Sequence, residues 1–451
     1  MSIWGRIVSV LAFLVIASPV GAGDLTPPGA PAPSMKTLDE VEPRIPVGPL
    51  TTPGDADSVY RLNQPGSYYL TGNVQGEVGK HGIEVLGRDI TLDLMGFSVI
   101  GVTGSLNGIQ MNFDGTSSSN IRLRNGTIRD FDGAGVNVGS AAAIPGRFER
   151  LAAINNGGIG IMAFIASAVD CVAVSNGSHG IYLGRYSVAT RCSSNNNGGS
   201  GFVVEGSTIL SDCVANANSG IGFGVIGGFG GQIFRNCIAD FNDGHGFNLR
   251  SGTVVEGCVA IGMPASGQVA AGFRTTGDSN VFTDCVARDN TGAGFDLSSG
   301  ATLTGCSATT SAGPGFLLGA NARADACAAT ANVGEGFVLA DGGTITNSSS
   351  TDNAGDGVVL ANHCTATGNT VVGNGASAAI AGFRVDGDLN RLEGNRVGDN
   401  GRSYIFIGTR NIAVRNLGGG NMAAADLGLG NFFPGPAANP ATAGPWDNLS
   451  H

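Results

Sequence analysis

The chain has 451 residues, of which only 13% are charged, and its 35 acidic residues outnumber its 24 lysines and arginines. The formal net charge of −11, without any run of basic residues, argues against nucleic acid as a partner. Glycine contributes 76 residues, far above its usual share of about 7%. Because these glycines recur at regular intervals, they indicate repeated turns rather than disorder.

Residues 1–22 are predicted to form a secretory signal peptide. Arg6 supplies the positive start, Ile7 to Ile16 the apolar core and Val20 to Ala22 a small-residue cleavage pattern. We therefore expect cleavage after Ala22 and a secreted protein, extracellular or periplasmic. An uncleaved membrane anchor is the alternative, but the apolar run is too short to span a bilayer and no later stretch is long enough.

Residues 23–59 form a proline-rich segment that we expect to cap the repeats that follow. Pro27 to Pro33 is predicted to be extended, and Ser34 is a good N-cap for a short helix ending at Glu42. Such a cap would cover the first exposed strand edge, which otherwise invites aggregation.

Residues 60–415 contain a glycine followed by an apolar residue about every 21 residues. A fixed period in the twenties is typical of a solenoid. Two positions after each glycine the residue varies, and three positions after it an apolar residue returns, which is the alternation of a half-buried strand. We predict an all-β fold: a single parallel β-helix of about 13–14 coils. The glycines are Gly160, Gly180, Gly201, Gly222, Gly246, Gly272, Gly294, Gly315, Gly336, Gly357 and Gly382, with weaker copies at Gly82, Gly108 and Gly135.

A column of cysteines precedes these glycines by nine residues. Stacking would place the cysteine Cβ atoms about 4.8 Å apart, beyond the usual disulfide geometry, so buried free thiols are expected. Cys364 lies off the column and is the one candidate for a reactive or intermolecular thiol, although structural filling is favoured for all nine cysteines. The column contains Cys171, Cys192, Cys213, Cys237, Cys285, Cys306 and Cys327, with Cys258 added after an insertion.

A column of asparagines stands four residues before the glycines. Asparagine tolerates the backbone of a sharp turn, and its amide can hydrogen-bond to the copies above and below. Its members are Asn156, Asn176, Asn197, Asn218, Asn242, Asn290, Asn332 and Asn353, with Ser311 in one gap.

The asparagine ladder, the inward phenylalanine stack and the coil length resemble the right-handed parallel β-helix proteins of the pectin-lyase-like superfamily, over residues 60–415. Leu25 to Arg44 and Gln64 to Asn73 also resemble the opening of bacterial secreted β-helix proteins. The resemblance implies a right-handed helix. It does not select a function, because this scaffold carries lyases, hydrolases, epimerases and proteins without known activity.

Residues 416–451 are rich in glycine, alanine and proline and are predicted to form an irregular tail. Phe432, Phe433 and Trp446 are its large apolar residues. We expect the tail to fold back along the solenoid, onto an outward apolar row made by Leu317, Val338 and Val359. The same row could instead be a subunit interface.

Outward residues of neighbouring coils supply the candidate site. Asn248, Arg274 and Asp296 occupy the same outward position in successive coils, about 5 Å apart. A guanidinium and a carboxylate at this spacing could bind an acidic or polyhydroxylated sugar, and Arg274 and Asp296 are the catalytic candidates if the protein is an enzyme. The alternative is a cross-strand ion pair with a structural role.

Glu335, Asp352 and Asp356 form a second acidic candidate. Carboxylates about 5 Å apart could chelate calcium or act as acid and base, and calcium is the only cofactor that the sequence suggests. A solvated turn face is the alternative.

Histidines do not support a metal site. His81, His179 and His245 share the position before the glycine, but no two of them are on adjacent coils, so they cannot reach one ion. Asp243 to Gly246 resembles the Gly-His-Gly element of polygalacturonases. The paired-Asp and Arg-x-Lys motifs of those enzymes are missing, as are the signature motifs of alginate epimerases and pectate lyases.

Two functions remain open. The first is a non-catalytic secreted protein that binds a polysaccharide, a cell-surface glycan or another partner, or that serves as a stalk. The second is a polysaccharide lyase, hydrolase or epimerase acting on an acidic polysaccharide around Asn248, Arg274 and Asp296. The missing catalytic motifs favour the first.

Overall fold

The computed structural model describes residues 44–112, 120–139, 146–227, 230–262, 269–423, 425–434 and 443–450. The predicted signal peptide, the proline-rich stretch and the helix predicted from Ser34 to Glu42 lie outside these residues. Within the described residues every regular element is a β-strand, and no helix there could cross a membrane.

One face of the molecule, here called sheet 1, is a parallel sheet of 16 strands. Each coil contributes one strand, which begins directly after the recurring glycine in most coils. The strands are Ser58–Leu62, His81–Val85, Ile109–Met111, Val136–Val138, Ile161–Ala163, Ile181–Leu183, Phe202–Val204, Phe223–Val225, Phe247–Leu249, Phe273–Thr275, Phe295–Leu297, Phe316–Leu318, Phe337–Leu339, Val358–Leu360, Ala381–Val385 and Arg402–Phe406.

The rest of each coil belongs to sheet 2, which has 32 strands. Most coils contribute two strands to it, separated by the corner at which the cysteine column lies. These strands are Ile45–Pro46, Gly66–Tyr69, Val74–Gln75, Ile90–Asp93, Ser98–Ile100, Ile121–Arg129, Gly146–Ile154, Ala166–Val169, Val172–Val174, Val188–Thr190, Ser193–Asn195, Ile209–Ser211, Val214–Asn216, Ile233–Arg235, Ile238–Asp240, Val254–Glu256, Val259–Ile261, Val281–Thr283, Val286–Arg288, Thr302–Thr304, Ser307–Thr309, Arg323–Asp325, Ala328–Thr330, Thr344–Thr346, Ser349–Thr351, Thr365–Thr367, Thr370–Val372, Arg391–Glu393, Arg396–Gly398, Ile412–Val414, Leu417–Gly419 and Leu449–Ser450.

The predicted fold class is confirmed, but the solenoid has more coils than the 13–14 predicted. Sheet 1 alone has 16 strands, and strands occur beyond 60–415 at both ends. The extra coils lack the sequence signature: Ser403 pairs at the glycine position in the last strand, and Tyr404 pairs with Phe383 where eight of the 16 strands have phenylalanine. In the first strand Tyr60 likewise pairs at the apolar position, with Ile83.

The glycine recurs because two coils approach closely at its position. A Cβ atom placed on Gly294 would lie 2.7 Å from the carbonyl oxygen of Gly315 in the next coil and 2.7 Å from the Cβ of Ala308. The following phenylalanine points into the lumen and stacks on its equivalents. From Phe202 to Phe337 the successive ring centroids lie 4.6–4.9 Å apart, and the rings are nearly parallel.

The asparagine ladder is confirmed, and it continues through Asn374, Asn400 and Asn421. At a typical step the Oδ1 atom of Asn353 accepts from both the backbone nitrogen (3.0 Å) and the Nδ2 atom (2.8 Å) of Asn332. At Ser311 the shorter side chain breaks the chain of bonds. Within the described residues, the Nδ2 atom of Asn290 and the Ser311 hydroxyl are buried without a partner.

All nine cysteines are free and buried, as predicted. The cysteine column continues as a second polar ladder. The backbone N–H of Cys327 donates to the Ser348 hydroxyl, and the backbone N–H of Ser348 donates to the Asn369 Oδ1 atom. Cys364 is indeed off this column, but it is only 1% exposed and burial raises its pKa. The suggestion that it is a reactive thiol is therefore wrong, because a buried neutral thiol is a poor nucleophile.

The tail takes a different course from the predicted one. Phe433 packs edge-on against Tyr404 at 5.5 Å, and Trp446 lies over the guanidinium of Arg415 at 4.3 Å. The described tail residues thus cover the C-terminal end of the solenoid rather than the apolar row on sheet 1. Leu317 in that row is 39% exposed.

Candidate functional site

Asn248, Arg274 and Asp296 lie in one line on the outer surface of sheet 1, as predicted. Asn248 pairs with Arg274, and Arg274 with Asp296, in the parallel register. The Arg274 Nε atom is 3.8 Å from an Asp296 carboxylate oxygen, and the two side chains are 44% and 41% exposed. Such an exposed pair contributes little to stability, so both groups remain available to a ligand.

His245 lies beside Arg274 and was not part of the predicted site. Its Nδ1 atom accepts the backbone N–H of Ala271 at 2.9 Å, and its Nε2 atom lies 3.0 Å from the Arg274 Nη1 atom. Burial, and secondarily the guanidinium, lower the pKa of His245. The ring therefore stays neutral, and it supports the backbone of the next coil.

The same role explains the other histidines. His81 Nδ1 accepts the backbone N–H of Asn107, and His179 Nδ1 that of Ser200, each at 3.0 Å. Asn107 plays the equivalent part with its Oδ1 atom, which accepts the N–H of Ala134 at 2.7 Å. The position before the glycine is thus a column of hydrogen-bond acceptors for the adjacent coil. The sequence excluded a metal role for the histidines but did not reveal this structural one.

Asn248 carries an unusual polar atom. Its Oδ1 is buried and has no hydrogen-bond partner within the described residues. An unpaired buried carbonyl oxygen is costly, and because this atom is buried, a ligand on the row can bond it only after the Asn248 side chain rotates.

A second polar segment, missed by the sequence analysis, lies in and beside the same outer row in the first coils. We call it the amide network: Glu84, Asn107, Gln110, Asn112 and Asn137. Gln110 Oε1 accepts from Asn107 at 2.7 Å and from Asn137 at 2.9 Å, while Gln110 donates to Asn112, which donates to Glu84. Glu84, Gln110 and Asn137 stand two positions after the weak glycines Gly82, Gly108 and Gly135, which was the signal available in the sequence.

An acidic cluster flanks this network. Asp55, Asp57 and Glu84 form the group of three carboxylates, among the described residues, that lie within 4.8 Å of one another. Arg61 already supplies the opposing charge, because its guanidinium is 3.0 Å from Asp55 and 3.4 Å from Glu84. Hydrogen bonding to Ser58 lowers the pKa of Asp55 to about 2.

The structure does not assemble the predicted calcium site. Asp356 accepts the backbone N–H of Ala381 at 2.6 Å and lies 3.5 Å from the Arg384 guanidinium. Glu335 is close enough to Asp356 to repel its charge, but burial is the main cause of the raised pKa of Asp356. Asp352 does not join them in a three-carboxylate group within the described residues. Asp356 belongs to the column of acceptors before the glycine.

Between the two polar segments, the outer row of sheet 1 passes through Met162, Tyr182, Val203 and Gly224. Five coil steps separate Asn137 from Asn248, the nearest members of the two segments, or roughly 24 Å at the strand spacing of about 4.8 Å. A ligand that contacts both polar segments must therefore be a polymer or an extended chain.

Comparison with known proteins supports the fold. Residues 186–324 and 270–397 match the family model described as "Right handed beta helix region". The comparison with curated proteins found no match.

Several solved structures are similar. The tailspike protein 3 of bacteriophage CBA120 is 13% identical, with 90% of this chain and 65% of that chain covered and a TM-score of 0.44. The A-module of the Azotobacter vinelandii mannuronan C-5 epimerase AlgE4 is 13% identical (81% and 90% covered, TM-score 0.24), and the pectate lyase Pel9A is 15% identical (64% and 72% covered, TM-score 0.28). The chain thus spans just under two thirds of the tailspike. With the family match over residues 186–397 and the parallel register of the described coils, the fold is a right-handed parallel β-helix.

Proposed function

We propose that the protein is a secreted, non-catalytic glycan-binding protein and that the outer row of sheet 1 is its binding surface. The observation that carries the proposal is the alignment, on one face, of the amide network with Asn248, Arg274 and Asp296. Secretion rests on the signal peptide predicted for residues 1–22.

The chemistry of the row suits a polysaccharide. Within the amide network, Glu84 and Gln110 are buried and hold the half-buried Asn137 and the exposed Asn112 in place. The amides of Asn112 and Asn137 can donate and accept further hydrogen bonds, and the Asp296 carboxylate can accept them, which matches the hydroxyl groups of sugars. Arg274 offers donors for the carboxylate of an acidic sugar, a charge-assisted interaction stronger than one between neutral groups.

The arrangement around Arg274 favours binding over catalysis. A general base needs a nitrogen or oxygen that can take a proton from the substrate. The Nδ1 atom of His245 is bound to the backbone of Ala271, and its Nε2 atom faces the Arg274 guanidinium. Arg274 and Asp296 are paired with each other on an exposed strand surface, where water screens their charges.

Titration of the purified protein with a panel of uronate polymers and neutral polysaccharides tests the proposal. We expect saturable binding of at least one acidic polymer, weakened roughly fivefold by Arg274→Ala, since a lost hydrogen bond is worth about 1 kcal/mol or more. Asn137→Ala should weaken the same interaction. Arg323→Ala is the matched control, because Arg323 is exposed on sheet 2 and should leave affinity unchanged.

Assays for unsaturated ends and new reducing ends run on the same mixtures. If the wild type forms products and the Arg274→Ala variant does not, the protein is a lyase, hydrolase or epimerase and the non-catalytic proposal is wrong. Equal affinity in wild type, Arg274→Ala and Asn137→Ala would show that sheet 1 is not the binding surface.

A further inference from the structure

The outer face of sheet 2 carries a continuous row of β-branched apolar residues in its middle coils. The row occupies the first outward position of five successive strands, which pair in parallel register. Its members are Val188, Ile209, Ile233, Val254 and Val281. The three valines are 37–39% exposed, and the two isoleucines are partly exposed. We call these five strands, with the side chains at their two outward positions, the sheet 2 strip.

Strand propensity does not explain this apolar row. After Val281 the same position continues through Thr302, Arg323, Thr344 and Thr365. Threonine is also β-branched and suits a strand as valine does, so the fold does not require apolar residues here. A contiguous apolar row on a water-facing sheet usually marks a contact surface.

The sheet 2 strip is self-complementary about its centre, which lies between Ile233 and Val254. One coil farther out, Ile209 lies on one side of the centre and Val281 on the other. A twofold axis through this centre and parallel to the strands therefore places apolar residues of one copy against apolar residues of another. This is the requirement of an isologous contact, in which residue i meets residue j and residue j meets residue i.

The charges of the strip also match under this axis. Arg235 and Glu256 occupy the second outward position of the two central strands, with 3.2 Å between Nε and Oε2, and their side chains are 50% and 55% exposed. The axis places Arg235 of one copy opposite Glu256 of the other, so the four groups alternate in charge. The next residues outward, Ser211 and Thr283, are neutral. Opposite charges across an interface fix its register.

We propose that the sheet 2 strip is the interface of a homodimer, in which a second copy of this chain lies alongside the first with its coils running in the opposite direction. The centre of the strip is near the middle of the described solenoid. In its register eight strands precede Ile233–Arg235 and seven follow Val254–Glu256. The two copies thus overlap along roughly 70 Å with a strand width of about 10 Å, or about 700 Å² each, close to the roughly 800 Å² per partner of a standard interface.

Sheet 1 takes no part in this contact. Its own apolar row is shorter, because Leu317 is exposed but Val359 is buried. The outer row of sheet 1 remains open to solvent on both copies, so the dimer is independent of the proposed glycan binding.

Sedimentation velocity of the full chain over a range of concentrations measures the oligomeric state. We expect a reversible dimer. Val254→Arg should raise its dissociation constant roughly tenfold or more, because a charge enters the apolar contact without an opposing charge. Leu317→Arg is the matched control: Leu317 also points outward and is 39% exposed, against 37% for Val254, but it lies on sheet 1. The control should leave the dissociation constant unchanged.

An exchange of charges tests the orientation of the two copies. Arg235→Glu places carboxylates opposite each other twice in the interface and should raise the dissociation constant roughly a hundredfold. Adding Glu256→Arg to this variant should restore dimerisation to within roughly threefold of wild type. Because the pair is exposed, neither variant should lose its fold, which circular dichroism checks. A wild type that stays monomeric, a dimer abolished by Leu317→Arg but not by Val254→Arg, or a folded double variant that stays monomeric would overturn the proposal.

Discussion

Single polar side chains hold consecutive coils together at the corners of this solenoid. Asn353 shows the pattern: its oxygen accepts two bonds from Asn332, while its Nδ2 atom donates to Ala329 at 3.1 Å and to Asn374 at 2.9 Å. Because the residue is only 1% exposed, water cannot replace these bonds. One residue thus satisfies backbone groups that would otherwise be buried without partners.

Asn353→Ala should therefore destabilise the protein by about 2–4 kcal/mol, since it leaves the backbone N–H of Asn332 and other buried groups unpaired. Chemical denaturation measures the change. Ser349→Ala is the control in the same coil: its side chain points outward, and we expect a change within about 0.5 kcal/mol. Similar losses in the two variants would show that the ladder is not a major source of stability.

The histidine column makes stability depend on pH. Burial lowers the pKa values of His81, His179 and His245 below the ordinary value of 6.5. Below pH 6.5 the unfolded chain therefore binds protons that the folded protein does not, and stability falls as the pH decreases through this range toward the lowered folded-state values.

His179→Asn should flatten this dependence while the fold is retained, because Asn107 already performs the same function in its own coil with a group that does not titrate. Unfolding free energies of wild type and variant between pH 7.5 and pH 5 provide the test, with His363→Asn as control because His363 lies outside the column. A wild-type stability that does not change over this interval would contradict the explanation.

The surroundings of a single side chain could be predicted from the sequence where the residue belongs to a repeating column, and could not be predicted where it does not. The asparagine and cysteine columns are periodic, so their burial and stacking follow from the register. The amide network joins Asn107 and Asn112, which lie outside the strand register, with Gln110 on the strand between them. The role of His179 depends on a hydrogen bond to a neighbouring coil. Side-chain direction at a turn is not encoded in the period, so the hydrogen bonds of Asn107, Asn112 and His179 could not be predicted.

The inward phenylalanines are the main apolar element of each coil. Phe295 stacks between Phe273 and Phe316 at 4.8 Å on both sides, and Phe282 meets it edge-on at 6.0 Å. The ring is fully buried. Stacked and edge-on aromatic pairs add to the stabilisation that burial alone provides.

Phe295→Ala should cost about 3–5 kcal/mol, because it removes a large buried side chain and leaves a cavity that the stacked coils cannot close. The matched control is Leu317→Ala, which removes a side chain of the adjacent strand that is 39% exposed and outward-facing; it should cost under about 1 kcal/mol. Denaturant unfolding of the two variants gives the comparison. A loss at Phe295 no larger than that at Leu317 would mean that the coil repacks around the missing ring.

Coil elements could be predicted wherever the glycine was followed by an apolar residue. The first and last coils escaped because Val59 and Ser403 stand at the glycine position, while Tyr60 and Tyr404 keep the inward register of the following residue. Tyrosine fits the lumen as phenylalanine does, so the backbone period survives a change that removes the sequence signature.

The whole molecule is a stack in which each coil touches mainly the coil above and the coil below, so stability is a sum of local terms. Its ends are the exception, because a terminal strand has an unpaired edge. At the C-terminal end, Leu449–Ser450 pairs with Leu417–Gly419, and Asn448 Oδ1 accepts from the backbone nitrogen of Asn416 at 2.9 Å. The tail residues thus extend the ladder and cover the last edge.

A chain that ends at residue 442 should lose this protection only locally. We expect amide exchange to accelerate by roughly a hundredfold at Arg415 and Asn416 and in Leu417–Gly419, because their bonds and pairing to residues 446–450 are lost, and to remain unchanged in distant strands such as Phe202–Val204. Trp446→Ala is the control, since it removes the contact with Arg415 but keeps the strand pairing; it should change exchange much less, as an exposed cation–π contact is worth about 0.5–1 kcal/mol. Acceleration spread evenly along the solenoid would show instead that the coils unfold as one cooperative unit.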